Sequence, residues 1–173
     1  MTDNRLLLSE KYKAFLRCDA PVEFLEGTTA AGKTTVGLFK FILKCAESPK
    51  KLHILAADDT GAAEKNIIQK DLGVLDDFGA LTEYRGNGSG EYKMPHILLH
   101  TTGGDKIIFV VGYGNKAKWK DALGGQYGCL YIDEINTADI EFVREASMRS
   151  DYLLATLNPD DPNLDVYKEY INC

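Results

Sequence analysis

The 173 residues carry 20 Lys and Arg against 26 Asp and Glu, a net charge of −6, and 45% of them are apolar. That length and apolar share suit one buried core, while the acidic balance excludes a domain that grips duplex DNA through overall charge, so any nucleic-acid contact must come from a local patch or from other domains or subunits. No apolar run approaches the ~18 residues of a membrane span, and the opening MTDNRLLLSEKYK sets charges on both sides of three leucines, unlike a secretory leader.

Strands and helices alternate along the chain, which predicts an α/β fold with a mainly parallel sheet. Ser9 to Arg17 reads as a short amphipathic helix with Ser9 as N-cap. Val22 to Leu25 is a first strand. From Lys33, apolar Leu38, Phe41, Ile42 and Cys45 follow helical spacing until Ser48-Pro49 stops the run. A second strand covers Lys51 to Ala57, and a second helix Ala62 to Leu72. The polar, glycine-rich LTEYRGNGSGEYKMP is expected to be a mobile excursion. HILLHTTGGDKIIFVVG then reads as a β-hairpin insertion turning at Gly103-Gly104. A basic piece around Trp119 follows, then the strand GCLYIDE, a helix from Ala138 to Met148, the strand YLLAT and a polar tail. Cys18, Cys45, Cys129 and Cys173 lack C-x-x-C spacing, which predicts reduced thiols.

Gly27-Thr28-Thr29-Ala30-Ala31-Gly32-Lys33-Thr34 matches the phosphate-loop pattern G-x-x-x-x-G-K-[ST] in full, between a strand and a helix. Its glycines allow successive N–H groups to face phosphate oxygens, and the helix adds its positive N-terminal end. Lys33 would reach the β- and γ-phosphates, and Thr34 would offer its hydroxyl to Mg²⁺, with Thr35 beside it. The run Cys129-Leu130-Tyr131-Ile132 ends in Asp133-Glu134. A strand ending in an acid puts that carboxylate at the sheet's C-terminal edge, so Asp133 suits the Mg²⁺ shell and Glu134 a general base for water. Thr156 and Asn158, in TLNP, offer a hydroxyl and an amide for sensing the γ-phosphate.

Asp133 lies well beyond the second strand, so an additional strand and helix separate the two motifs. That order resembles the additional-strand, catalytic-glutamate (ASCE) group of P-loop ATPases. The set LEGTTAAGKTTVGLFKF, SPKKLHILAADDTGAAEKNIIQKDLG, CLYIDEIN and LLATLNPDDPN resembles, across nearly the whole chain, the ATPase domain of phage terminase large subunits. The resemblance implies a motor that hydrolyses ATP with Mg²⁺ to translocate double-stranded DNA into a procapsid. It further implies a portal protein and a small terminase subunit as partners, a homo-oligomeric ring, and the host bacterial cytoplasm as location. Carried over, Lys33 and Thr34 bind phosphate and metal, Asp133 the metal, Glu134 serves as base, and Thr156 and Asn158 couple hydrolysis to movement.

Two features depart from that family. Its large subunits continue into an RNase H-like nuclease, and the chain stops soon after the last strand, so DNA cutting is not expected of these residues. Some terminases also place an arginine in or near the phosphate loop, whereas the variable positions are Thr28, Thr29, Ala30 and Ala31. Arg144 and Arg149 are candidates for a finger inserted into a neighbouring subunit's site. Lys116, Lys118 and Lys120 around Trp119 form a candidate DNA-facing patch, and Tyr12 and Phe15 are candidates for packing on adenine or for the first helix's core. Three other readings stay open: a helicase or recombinase-like fragment, a small-molecule kinase, which would show a phosphorylated acceptor, and an assembly module that binds ATP without turning it over.

Overall fold

Five parallel strands carry the chain's chemistry to one edge of a seven-stranded sheet ordered β1-β7-β6-β2-β5-β4-β3. The computed structural model describes residues 9–28, 32–70 and 73–172. The strands are β1 (Val22–Glu26), β2 (Leu52–Ala57), β3 (Thr82–Arg85), β4 (His96–Thr101), β5 (Gly104–Gly112), β6 (Tyr127–Ile132) and β7 (Ser150–Leu157). β6 and β7 are apolar on both faces, as strands covered by helices must be. In space β7 stands between β1, which leads into the loop of residues 27–34, and β6, which ends just before Asp133, so the separating strand follows the acid motif in sequence.

Alternate residues of each strand feed two cores. Leu55, Ala57, Cys129, Tyr131 and Leu154 pack under α2 (Lys33–Glu47), the single turn α3 (Thr60–Ala63) and the wider π-type turn Glu64–Ile68. Ile54, Ala56, Leu130, Ile132, Leu153 and Ala155 pack under α5 (Lys116–Ala122) and α6 (Ile140–Met148) on the other face. Gly37 allows α2 to lie close: a Cβ there would sit 3.4 Å from both Leu25 Cδ1 and Tyr131 Cε2. The short α1 (Glu10–Arg17) is capped as its sequence predicts, the Ser9 hydroxyl accepting from Tyr12 N–H at 3.3 Å. It is tied to α2 by Lys40, whose buried ammonium donates to the Phe15 and Cys18 carbonyls and to Glu23 at 2.6 Å.

Three expectations are revised. The excursion after Leu81 contains β3, which pairs antiparallel with β4, and a short bridge between Ser89 and Tyr92. A turn of helix, α4 (Val74–Asp77), precedes it. The second helix is α3 plus the π-type turn, ending at Ile68, and Leu72 lies outside the described residues. Trp119 is 1% exposed and meets Phe142 edge-on at 5.5 Å, while Lys116 pairs with Glu141. The tryptophan therefore belongs to the core and not to a DNA-facing patch; only Lys118 and Lys120 of that group are exposed without an ion pair among the described residues. Phe15 packs partly buried beside the α2 core, under the Lys40 ammonium at 4.3 Å.

Candidate active site

A parallel sheet leaves its ligand crevice where the strands end and helices begin. Here the C-terminal ends of β1, β7, β6 and β2 meet the N-terminus of α2. They enclose a cavity of about 340 Å³ lined by Lys33, Thr34, Asp133, Glu134, Thr156 and Asn158. Asp58, Asn66, Lys70 and Tyr113 complete the polar wall. Six residues chosen from three separate motifs thus come together in one space.

The candidate phosphate loop enters from β1, whose pairing with β7 extends one step further through Gly27 N–H to the Leu157 carbonyl at 3.3 Å. Gly32 caps α2 with φ 73°, the left-handed region that a side chain resists, although space for a Cβ exists. Thr29, Ala30 and Ala31 lie outside the described residues. Lys33 is 8% exposed, and its ammonium donates to the carbonyls of Gly27 and Thr28 (3.0 Å) and to Asn158 Oδ1 at 2.8 Å. Thr28 is exposed, while Thr34 and Thr35 are half-buried in the first turn of α2.

Thr156 joins the acid pair to β7. Its buried hydroxyl donates to Asp133 Oδ1 at 3.0 Å and accepts from Glu134 N–H at 3.1 Å. Tyr131, fully buried, adds a hydrogen bond to Asp133 Oδ1 at 3.3 Å. Burial nevertheless pushes the Asp133 carboxyl above its ordinary range, against the hydrogen bonds from Thr156 and Tyr131. Asp133 N–H continues the ladder to the Ala56 carbonyl of β2 at 2.9 Å.

Glu134 has φ 51° and ψ 56°, the one non-glycine residue with positive φ among those described. A left-handed backbone costs an L-residue about 1–2 kcal/mol. Its surroundings hold it there: Thr156 takes its N–H, and Thr137 donates both its hydroxyl (2.9 Å) and its N–H (2.9 Å) to its carbonyl. Tyr113, from the end of β5, donates to the Asp133 carbonyl at 2.9 Å and lies 2.8 Å from the Thr137 hydroxyl. Burial pushes the Tyr113 hydroxyl up, which keeps it a donor. The Glu134 carboxylate is left exposed at the cavity.

Replacing Thr156 by Val conserves volume and removes the bridge. The Asp133 carboxylate and the Glu134 N–H then each lose a buried partner, worth about 1–3 kcal/mol. Thr156→Val is expected to lower the melting temperature by several degrees, about 2–4 °C per kcal/mol for a chain of this size. Thr156→Ser, which keeps the hydroxyl, should recover most of that loss in the same thermal melt.

Arg144 and Arg149 are not brought to this cavity. Arg144, on α6, holds Glu169 with both Nε (2.9 Å) and Nη2. Arg149 ends α6 at the opposite edge of the sheet, where its carbonyl accepts from Tyr127 N–H, and its side chain faces Glu145 at 3.7 Å. Cys45 and Cys129, distant in sequence, meet His53 near that far edge, with ligand atoms within 4.8 Å of one another. His53 is spoken for on both nitrogens, accepting from Cys129 N–H at 2.9 Å and contacting the Lys50 carbonyl at 3.1 Å. The cluster therefore closes the open end of the β2–β6 ladder.

Sequence reading missed Asp58, Asn66, Lys70 and Tyr113, since their place depends on strand order. The available signal was position: Asp58 and Tyr113 follow directly on the ends of β2 and β5.

No protein-family model matches the chain, and no curated protein sequence matches it. Solved structures do. A large terminase from a thermophilic bacteriophage superposes with a TM-score of 0.78 at 18% identity, over 95% of this chain and 42% of that one. The same terminase in complex with ADP gives 0.73 at 19% identity, over 95% and 42%. Its complex with ATP-γ-S gives 0.73 at 19%, over 95% and 41%. The chain therefore spans about two-fifths of the terminase chains it matches, and over that span it has the fold of the phage large terminase.

Proposed function

We propose that this chain is the ATPase motor domain of a phage terminase large subunit, hydrolysing ATP to drive viral double-stranded DNA into a procapsid. One observation carries the reading: Thr156 bridges the metal acid Asp133 and the backbone of Glu134, while Asn158, two residues on, accepts from Lys33. β7 and the residue that follows it thereby touch the phosphate loop, the acid and the base. Any change in nucleotide state at Lys33 or Asp133 is transmitted to β7, as a coupling element requires. The fold shared with a terminase solved with ADP and with ATP-γ-S supports the choice of nucleotide.

In this reading the N–H groups at the start of α2 and the Lys33 ammonium bind the phosphates. ATP draws Lys33 away from the loop carbonyls toward the β- and γ-oxygens. The donors Thr34 and Asp133 are hard oxygens, and a carboxylate whose charge is disfavoured by burial gains from a cation, so the pair fits Mg²⁺. When bound, that ion supplies neutralisation of phosphate charge. Glu134 orients a water in line with the γ-phosphorus and takes its proton. The left-handed backbone aims its carboxylate out of the sheet edge into the cavity.

The same reading assigns the domain to a homo-oligomeric ring on DNA, with a portal protein and a small terminase subunit, in the host bacterial cytoplasm. No helix among the described residues is long and apolar enough to cross a membrane. The test is phosphate release from ATP and Mg²⁺ with and without double-stranded DNA. Stimulation by duplex DNA over an equal mass of single strands is expected. Transfer of phosphate to a small acceptor would replace the reading with a kinase.

A further inference from the structure

The loop's variable positions have no arginine, and the two arginine candidates lie away from this chain's own cavity, Arg144 paired with Glu169 and Arg149 at the far edge. The cavity nonetheless contains a second cation. Lys33 and Lys70 are the cations lining it, and they share it with Asp58, Asp133 and Glu134. Their situations differ. Lys33 is fully used by two loop carbonyls and Asn158. The Lys70 carbonyl accepts from Gly73 N–H at 2.9 Å, but its ammonium has no hydrogen bond or ion pair among the described residues, although three acids share its cavity.

Lys70 is placed by the segment that follows β2. Asp59 caps α3 by accepting from Ala62 N–H at 2.7 Å, and Ile67 and Ile68 bury the far side of the π-type turn in the α2 core. Gln69 then closes the turn, its N–H donating to the Glu64 carbonyl at 2.9 Å. The half-buried Lys70 comes out on the cavity side, level with Asn66.

We infer that Lys70 is a catalytic cation supplied in cis, its ammonium meeting the γ-phosphoryl oxygens of ATP as the bond to the β-phosphate breaks. The inference rests on the ATPase reading above. Phosphoryl transfer spreads negative charge over the γ-oxygens, and a cation already held in a partly desolvated cleft stabilises it without reorganisation. The Lys70 ammonium has no hydrogen bond or ion pair to break among the described residues. It also makes hydrolysis in a single subunit possible, with no residue borrowed from a neighbour.

The test compares wild type with Lys70→Ala, Lys70→Gln and Lys70→Arg, each checked by thermal melting. ADP and ATP-γ-S affinities are measured alongside ATP turnover. The expected result is a loss of kcat of at least about 10²-fold in the Ala and Gln variants, with partial recovery in Arg. ATP-γ-S binding should weaken while ADP binding is unchanged. Wild-type turnover in Lys70→Ala and Lys70→Gln would overturn the inference, as would an equal loss of ADP and ATP-γ-S affinity. Failure of the wild-type protein itself to bind either nucleotide would instead overturn the ATPase reading, and this inference with it.

Discussion

Glu134→Gln is expected to lower ATP turnover by orders of magnitude while leaving nucleotide binding intact. Glutamine has the same length and meets the same left-handed backbone, so the contacts of Thr156, Thr137 and Tyr113 around it persist. What disappears is the basic oxygen. General-base catalysis contributes about 10²–10⁴-fold, and kcat should fall by that amount. Because the Glu134 side chain is exposed and makes no hydrogen bond among the described residues, the melting temperature should not fall. Steady-state phosphate release combined with titration of a fluorescent nucleotide separates the two effects. Undiminished turnover would remove Glu134 from the base role.

Lys33→Ala should fail one step earlier, at binding. The ammonium is the only side chain among those described that joins the phosphate loop to Asn158. Charge-assisted hydrogen bonds to phosphate contribute about 1.5–3 kcal/mol. At about 1.4 kcal/mol per tenfold, ATP affinity should drop by about 10–100-fold, and turnover should be lost with it. The structural consequence is local: the Gly27 and Thr28 carbonyls lose their donor but stand near solvent, so the thermal melt should shift little. Calorimetric titration with ATP is the measurement. A Lys33→Ala protein that bound ATP as tightly as wild type would show that phosphate is held elsewhere.

The two variants also show which parts of the site were legible before any fold was known. A phosphate loop is a local object. Its glycines, lysine and threonine lie within eight consecutive residues, and the strand and helix on either side announce themselves by apolar spacing. Asp133-Glu134 and Thr156-Leu157-Asn158 were legible for the same reason, each closing an apolar run. Their juxtaposition was not, because it requires β7 to enter the sheet between β1 and β6. Tyr113 and Lys70 were invisible on that account: one ends a strand two places from β6, and the other follows a turn that packs beneath α2.

Elsewhere, local polarity misled. Thr82–Arg85 has alternating polar residues and glycines after it, as an edge strand with one exposed face has, and by composition alone it reads as a loop. Trp119 stands between lysines, a pattern that reads as a surface patch. On a helix the flanking lysines point away from it, and the indole alone turns into the core against Phe142. Glu23 and Lys40, which the sequence reading did not single out, meet buried at 2.6 Å, with Tyr152 donating to the same carboxylate at 2.5 Å. A buried ion pair has no signature in either residue's neighbourhood, since only the packing of α2 on β1 and β7 brings the partners together.

Hydrolysis in ¹⁸O-labelled water tests most directly whether this cavity cleaves ATP with water as acceptor. With Mg²⁺ and double-stranded DNA present, the phosphate released by the wild-type protein should carry solvent oxygen, and release should collapse in Glu134→Gln. Phosphate found on another acceptor, or labelled phosphate released equally fast by Glu134→Gln, would contradict the account.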